Sequence, residues 1–379
     1  MLDGFEVSNG FDPGTPGDQS HDPDGDGLTN ATEQARGTDP RASDSDGDTW
    51  SDGAEVAERT DPLHPGSYPL DFAWAAIGNA ANAADSTGYG AVDYDYEISK
   101  FEVTVRQYVA FLNAVASNDD PNGLFDPASQ ITRSTVSGAW RYAAVPGSEE
   151  LPIDFVSLYD AMRFVNWMHN GQPAGDSGPA TTESGAYQIT AAGISANSIE
   201  LVPSARFALP SEDEWYKAAY YDPATDGYFD YPTGASTPVA CGPPTSLVRA
   251  ANCGQPIGGE VTPVGSYPIS ASPSGTFDQG GNVWEWTDEI GGASRRIRGG
   301  GFASVFNELA AESSGADADP SVGEADVGFR VVPEPGGVWP LVAGVGLLLA
   351  IEHGRSSGSR RRARRSVART DPGAAPSRR

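Results

Sequence analysis

The chain of 379 residues is long enough for one large domain with smaller modules beside it. Its 46 glycines and 30 prolines favour loop-rich structure over long helices or wide sheets. A net charge of −28 repels nucleic acid and attracts cations, so we expect no nucleic-acid partner.

An acidic segment near the N-terminus has the spacing of a calcium-binding loop. Residues 22–33 read DPDGDGLTNATE, with aspartates at loop positions one, three and five, a glycine at six and a glutamate at twelve. Alternate residues turn their oxygens towards one centre, the glycine permits a sharp turn, and the late glutamate closes the shell with two oxygens. The spacing predicts calcium ligands at Asp22, Asp24, Asp26, Leu28, Asn30 and Glu33.

The same spacing recurs 22 residues later and predicts a second set of ligands at Asp44, Asp46, Asp48, Trp50, Asp52 and Glu55. Thr49 stands where the first loop has its glycine, so we expect the second loop to turn at Gly47. A Thr-Asp-Pro tripeptide at 38–40 also recurs at 60–62. The short period and this tripeptide resemble thrombospondin type 3 repeats, in which calcium substitutes for an apolar core. An acidic disordered linker is the alternative.

The first residues match the second half of such a repeat. DGFEVSNGFDP at 3–13 aligns with DGAEVAERTDP at 52–62. Residues 1–20 have neither the basic start nor the apolar run of a signal peptide. We therefore expect residues 1–66 to form calcium-binding repeats, the first of them truncated, and the natural chain to begin further upstream.

Residues 67–332 have the aromatic content and apolar periodicity of a folded domain. YEISKFEVTVRQYVAFLNAV at 96–115 predicts a strand that runs through Phe101 and Val103. A helix follows, because the later apolar residues have helical spacing and Thr104 is a suitable N-cap.

Two further helices are predicted from capping residues. LPIDFVSLYDAMRFVNWMHN at 151–170 has Ser157 as its N-cap. FALPSEDEWYKAAYYDP at 207–223 begins at Ser211, and Glu214 completes a capping box. The carboxylates in that first turn favour the helix dipole; glycosidase chemistry is the alternative interpretation.

Together these segments resemble the formylglycine-generating-enzyme, or sulfatase-modifying factor, family. The resemblance continues in the family's order through GTFDQGGNVWEWTDE at 275–289, RIRGGGFAS at 296–304 and DVGFRVV at 326–332. It implies that residues 67–332 have an α+β fold, a variant of the C-type lectin fold with much irregular structure, preceded by the calcium-bound repeats.

The resemblance also implies a structural calcium ion near the GNVWEW motif. The family binds it through a side-chain oxygen, backbone carbonyls and a glutamate. Carried over to this sequence, the ligands are Asp278, Gly280, Val283 and Glu285. We expect the neighbouring Trp284 and Trp286 to be core residues rather than ligand contacts.

The residues that carry the family's chemistry are absent. Its enzymes oxidise a substrate cysteine to formylglycine with two cysteines that hold copper(I), a soft ion that prefers thiolates. The matching positions, counted from RGGGF at 298–302, are Ser304 and Leu309, so we expect no catalytic residue and no copper. Another branch of the superfamily uses iron held by histidines, but His169 is the only histidine of residues 67–332.

The two cysteines of the chain, Cys241 and Cys253, lie in a loop rich in glycine and proline. In an exported protein a loop this short closes easily, which favours a disulfide. Two free thiols are the alternative.

The last segment, 333–379, resembles a PEP-CTERM sorting signal. Pro-Glu-Pro at 333–335 precedes the apolar run VWPLVAGVGLLLAI at 338–351 and an arginine cluster at 360–365. The resemblance implies transient membrane attachment through this short segment, which is below the roughly 20 residues of a stable span. It also implies cleavage near Pro335 by an exosortase-type enzyme, with the acidic body outside. A plain membrane anchor or a buried helix are the alternatives.

The sequence thus predicts an exported bacterial protein of the cell surface or extracellular matrix. Its central domain would bind a glycan or protein ligand without catalysis. The alternative is an oxidase that converts a protein cysteine to formylglycine with displaced active-site residues. A third hypothesis is an unrelated enzymatic activity on the same scaffold, because a fold does not determine function.

Overall fold

The computed structural model describes residues 2–14, 17–47, 50–58, 60, 62–63, 70–244, 247–256 and 259–334. The predicted ligand Asp48 and the predicted sorting signal from residue 335 onward, including the apolar run 338–351, lie outside these ranges. Among the described residues, no helix combines the length and apolar character needed to cross a membrane.

Short helices follow the acidic turns of the N-terminal region. They are Asp3–Ser8 (α1), Asn30–Arg36 (α2) and Asp52–Glu58 (α3). α1 and α3 hold the matching segments DGFEVS and DGAEVAE. Among the described residues of 2–63, the buried apolar side chains are Leu28 and two prolines, Pro40 and Pro62. The described part of the repeats therefore lacks an apolar core, and its buried polar side chains are mainly carboxylates.

The central domain contains short strands and short helices, which confirms the predicted α+β class. The helices are Val105–Val115 (α4), Leu158–His169 (α5), Ala191–Ala196 (α6) and Glu212–Tyr220 (α7). The strands are Trp74–Ile77 (β1), Tyr96–Ser99 (β2), Ile131–Val136 (β3), Ala139–Ala144 (β4), Phe207–Ala208 (β5), Tyr221–Asp222 (β6), Gly227–Tyr228 (β7), Ala240–Cys241 (β8), Ala250–Ala251 (β9), Trp284–Gly291 (β10), Ser294–Arg298 (β11), Ala316–Ala318 (β12), Val327–Phe329 (β13) and Val332–Pro333 (β14).

One four-stranded sheet has the order β12-β11-β10-β13. β10 pairs antiparallel with β11 and parallel with β13, where Trp284 lies opposite Val327. The remaining strands form two-stranded pairs: β1 with β2, β3 with β4, β5 with β14, β6 with β7 and β8 with β9. Most of these strands have two to four residues, so the segments between them determine much of the domain's shape.

The strand predicted through Phe101 and Val103 ends earlier, at Ser99. Beyond that point the chain leaves β1. The Val103 amide donates to the Phe329 carbonyl, and the Ile153 amide donates to the Val103 carbonyl, both at 2.8 Å. The alternating pattern is satisfied by these isolated contacts rather than by a continuing strand.

The predicted N-caps are confirmed for three helices. Thr104, Ser157 and Ser211 each accept a hydrogen bond from the backbone amide three residues on, and a side chain at that third position caps back in return. Such reciprocal caps satisfy amides that a helix start leaves without intrahelical partners.

The main core lies where α4 and α5 meet the four-stranded sheet. Phe164 of α5 contacts Phe111 of α4 and Phe329 of β13, with ring centroids 5.5 and 5.4 Å apart. Trp286 is fully buried there, as predicted, and the half-buried Trp284 packs against the same cluster. Ile297, which directly precedes the RGGGF segment, belongs to the same core.

Candidate functional site

The first acidic loop gathers three carboxylates at one point. Asp22, Asp24 and Asp26 each offer an oxygen within 4.8 Å of the others. Gly25 and Gly27 turn the chain with φ of 79° and 100°, and their amides donate to the Asp22 carboxylate at 2.8 and 3.1 Å. Carboxylates this close repel one another, so the arrangement suits a cation.

Glu33 and Asn30 close this loop from helix α2. Both side chains are fully buried, and Glu33 Oε2 and Asn30 Oδ1 have no hydrogen-bond partner among the residues that the structure describes. Burial, reinforced by Asp24 and Asp26, raises the pKa of Glu33 to about 8. An uncompensated buried carboxylate is costly. The donor set therefore fits a calcium ion in the predicted position.

The second loop docks on the first through Gly53. The Gly53 amide donates to Asp26 Oδ2 at 2.9 Å, and a Cβ at this position would lie 2.0 Å from the Asp26 carbonyl oxygen. Only glycine fits that approach. The adjacent Asp52 is fully buried, and its carboxylate accepts from Ser45 N and Oγ at 2.8 and 2.6 Å. Burial, with Asp26 nearby, raises the pKa of Asp52, so acidic groups of the two loops lie close together.

The other predicted ligands that the structure describes belong to the same two turns. The Leu28 amide donates to Asp26 Oδ1 at 2.7 Å, and Asp44 Oδ1 accepts from the Gly47 amide at 2.7 Å. Gly47 has φ 81°, in agreement with the turn predicted there. Glu55 is buried, whereas Asp46 and Trp50 are half-buried.

In the central domain, the carboxylate of the predicted ligand Glu285 is bound by two other side chains. Its carboxylate and the guanidinium of Arg330 are both fully buried, with Arg330 Nη2 2.6 Å from Glu285 Oε1. Trp215 Nε1 donates to Glu285 Oε2 at 2.7 Å. Asp278 accepts from the Gly265 amide at 2.6 Å. Arg330 already neutralises the Glu285 carboxylate, so this carboxylate does not need a calcium ion for its charge balance. The calcium site of the central domain stays a prediction.

Glu102 is a third carboxylate of this cluster and was missed from the sequence. It is 1% exposed; its Oε1 accepts from Asn282 Nδ2 at 3.2 Å, and its Oε2 has no partner among the described residues. Burial, together with Asp278 and Glu285, raises its pKa well above the usual range. No spacing rule links position 102 to positions 278 and 285.

The two predicted carbonyl ligands lie in the turn that leads into β10. Gly280 contacts Pro232, since a Cβ on it would lie 2.5 Å from Pro232 Cγ, and Val283 is fully buried. Gly281 between them has φ 92°, and a Cβ there would lie 2.4 Å from the Asn252 carbonyl oxygen. The turn is therefore tightly packed against its neighbours.

Ser304 and Leu309, the positions that match the family's cysteine pair, are neighbours in space. A Cβ on Gly300 would lie 2.8 Å from Leu309 Cδ1 and 3.1 Å from Ser304 Cβ. Ser304 is buried and its hydroxyl accepts from the Gly301 amide at 3.1 Å; Leu309 is fully buried. A hydroxyl is a hard ligand and an aliphatic side chain is none. The pair does not fit copper(I).

A disulfide joins Cys241 to Cys253 beside this pair. Cys253 and Leu309 belong to one buried apolar cluster. The next residues, Gly254 and Gln255, donate their amides to the carbonyls of Ser304 and Phe302 at 2.7 and 2.9 Å. The cysteine loop therefore lies against the candidate site, with both sulfurs bonded to each other.

A cavity of about 560 Å³ lies beside Phe302 and Ala303. Its described lining residues are Gln130, Leu151, Asp154, Phe155, Gly259, Glu260, Val261, Phe302, Ala303, Ala325 and Asp326. The described lining residues combine aromatic and aliphatic side chains with three carboxylates, and none of them is basic. Apolar walls with a few polar groups are typical of small-ligand sites.

Asp154 and Asp326 were also missed by sequence analysis. Asp154 lies in the segment that leads into α5, and Asp326 directly precedes β13. Burial, with Asp126 and Asp326 nearby, raises the pKa of Asp154 to about 7. A perturbed carboxyl in a cleft marks a candidate functional residue.

Comparison with known protein families gives two matches. Residues 78–335 match the sulfatase-modifying factor enzyme 1-like domain, and residues 22–40 and 44–65 match the bacterial thrombospondin type 3 repeat. The second match supports calcium binding by the acidic loops.

Among curated proteins, hercynine oxygenases of Mycolicibacterium thermoresistibile and Mycobacterium tuberculosis are 42% and 40% identical over 82 residues. The aligned stretch is 21% of this chain and 16% of either relative. Similar solved structures include CarF, with 20% identity, 70% of this chain and 98% of that chain covered, and a TM-score of 0.44. Treponema denticola variable protein 1 has 20% identity, covers 71% of this chain and 97% of its own, and has a TM-score of 0.44.

Proposed function

This chain belongs to the family defined by the sulfatase-modifying factor enzyme 1-like domain, and from that premise we propose that it is a non-catalytic binding protein. Its central domain holds a ligand in the cavity beside Phe302 and does not oxidise it. The observation that carries the proposal is the buried pair Ser304 and Leu309, which offers no thiolate for a redox metal. Cys241 and Cys253 are bonded to each other, so neither offers a thiolate.

The cavity supports a binding role because it is concave and has both apolar walls and convergent polar groups. The acidic repeats have a separate, structural role in this proposal. With calcium bound they form a stiff spacer, because calcium ties the two loops together where an apolar core is lacking. The ligand is a glycan or a protein that reaches the cavity from outside.

Filling the cavity is expected to abolish binding. The exposed Ala325 lies at its rim, so Ala325→Trp would place an indole in the opening. Ala192→Trp, at an exposed position of α6, is the matched control. The full chain, with calcium, is applied to arrays of defined glycans and peptides. We expect at least one ligand that the parent and Ala192→Trp retain and Ala325→Trp loses. Equal binding by Ala325→Trp would contradict the proposal.

An oxygenase is the alternative, and the similarity to hercynine oxygenases favours it. That similarity spans only 16% of those relatives. The one histidine of the central domain, His169, ends helix α5, and its Nδ1 accepts from the Arg206 amide at 3.0 Å. Burial lowers the pKa of His169, which is consistent with a neutral structural side chain. A set of several histidine ligands cannot be built there.

We further propose that the protein is exported and processed at its C-terminus. The support is the order of Pro-Glu-Pro, apolar run and arginine cluster in residues 333–365. An exosortase-type enzyme would cut near Pro335 after the short apolar run had held the chain in the membrane. The mature protein would then lie on the cell surface or in the extracellular matrix.

Mass spectrometry of the native surface fraction tests the export proposal. Peptides that cover residues 70–334 are expected, whereas peptides from residues 355–379, which hold nine arginines, should be missing. A whole-cell extract supplies the unprocessed control. Recovery of the arginine-rich tail from the surface-located form would overturn this proposal.

A further inference from the structure

The cavity beside Phe302 contains a carboxylate that lacks a partner. Asp154 is 7% exposed, and its Oδ1 has no hydrogen-bond partner among the described residues. Leaving such an atom unsatisfied is destabilising, because it has lost its hydrogen bonds to water. Native structures rarely retain an orphaned buried polar atom without a role or an absent partner. A donor on a ligand in the cavity would supply what the protein does not.

A second carboxylate lies on the same wall. A Cβ on Gly301 would come within 2.8 Å of Asp326 Oδ2, so the absence of a side chain at 301 makes room for this carboxylate. Its backbone is anchored, because the Trp284 amide donates to the Asp326 carbonyl at 2.6 Å. Glu260 adds a third acid at the exposed rim. None of the described lining residues is basic, so none of them neutralises these acids.

The aromatic wall is held in place at a conformational cost. Phe155 has φ 55°, a left-handed conformation that is a strong outlier for a bulky side chain. Its amide donates to the Glu324 carbonyl at 2.9 Å, and Gly323 packs on its carbonyl, where a Cβ would approach to 2.3 Å. Strained backbone of this kind is found most often at ligand sites.

Carboxylates beside aromatic rings attract organic cations, because the charge pairs with the acids and the ring faces are negative. We propose that the cavity binds a ligand with an ammonium or guanidinium head on an apolar stem, as in a lysine or arginine side chain or a free alkylamine. The stem would contact Phe155, Phe302 and Leu151, and the head would meet Asp154 and Asp326. This inference rests on the binding role proposed above and adds the chemical class of the ligand.

Calorimetric titration of the full chain in calcium tests the proposal with four matched probes: butylammonium, butylguanidinium, 1-pentanol and pentanoate. We expect both cations to bind about tenfold or more tightly than the neutral alcohol, the scale of one charge-assisted contact, and pentanoate not to bind. Acetylated Gly-Lys-Gly amide and its norleucine counterpart then distinguish a peptide side chain from a free amine. Equal binding of alcohol and cation, or no binding of either cation, would overturn the proposal.

Charge-removing variants locate the site. Asp154→Asn and Asp326→Asn are each expected to weaken cation binding about fivefold or more. Asp119→Asn, an exposed change outside the cavity, should leave it unchanged. If either of these two variants fails to fold, Glu260→Gln at the rim replaces it in the test, with a smaller loss of affinity expected. Undiminished cation binding in the folded variants would refute this assignment. Retention of a neutral array ligand that Ala325→Trp loses, with no cation binding, would refute only the ligand class and leave the binding role intact.

Discussion

Incubation of the full chain with a sulfatase-type cysteine peptide, copper and oxygen is expected to leave the mass of the peptide at that of a copper-only control. Copper(I) needs thiolates, and the matching positions carry the Ser304 hydroxyl and the buried Leu309 side chain. The thiols of Cys241 and Cys253 are consumed in their disulfide. Peptide conversion above the control would refute the non-catalytic assignment. Its loss on replacing either cysteine would then identify a relocated site.

Restoring the cysteines is also expected to leave the chain inactive. In Ser304→Cys/Leu309→Cys, the new thiol at 309 would lie in the same apolar cluster as Cys253, so exchange with the existing disulfide competes with metal binding. The surroundings are acidic, because Asp230, Glu308 and Glu312 line one open cavity. Val305→Cys/Phe306→Cys, at exposed neighbouring positions, controls for adventitious copper chemistry. Clear peptide conversion by Ser304→Cys/Leu309→Cys alone would show that the parent chain is inactive only because it lacks these two metal ligands.

Removal of calcium is expected to unfold the described residues of 17–63 while residues 70–334 keep their structure. In the described part of the repeats the buried apolar side chains are Leu28, Pro40 and Pro62, and the buried carboxylates repel each other without a cation. Hydrogen exchange read by mass spectrometry, with and without chelator, should show loss of protection in α2 and α3 but not in α4 or α5. Small-angle scattering should show expansion. Identical exchange and scattering in both conditions would count against calcium as the organising element.

The Asp26 side chain tests the docking of the two loops. It accepts from the Leu28 amide within its own loop and from the Gly53 amide of the next. Asp26→Asn is therefore expected to lower calcium affinity about tenfold or more and to expose both loops. Asp12→Asn, an exposed aspartate outside both predicted ligand sets, is the matched control.

The pKa of Glu33, raised to about 8, determines how these effects vary with pH. The folded calcium-free repeat favours the protonated side chain, so the stability due to Glu33 is present at low pH and lost as pH rises through about 8. Calcium needs the carboxylate, so calcium affinity should fall as pH decreases below about 8. Calorimetry in buffers of different ionisation enthalpy should detect proton release on binding at pH 7.

What the sequence by itself determined is local. The helices α4, α5 and α7 were predicted with their caps, because a cap and helical periodicity involve residues three or four apart. The convergence of Asp22, Asp24 and Asp26 follows from alternate positions in one turn. The order of whole motifs also sufficed to recognise the family, since GNVWEW and RGGGF are specific at the level of letters.

Only the tertiary structure decided which distant groups meet. Asp154 and Asp326 line one cavity, Glu102 lies in the Arg330 cluster, and Cys253 packs beside Leu309, because segments far apart in sequence fold against each other. No periodicity encodes such pairings, since they depend on the register of short strands and on irregular loops held by side chains. For the same reason Glu285 was predicted as a ligand from its motif, whereas its burial against Arg330 was visible only in the folded chain.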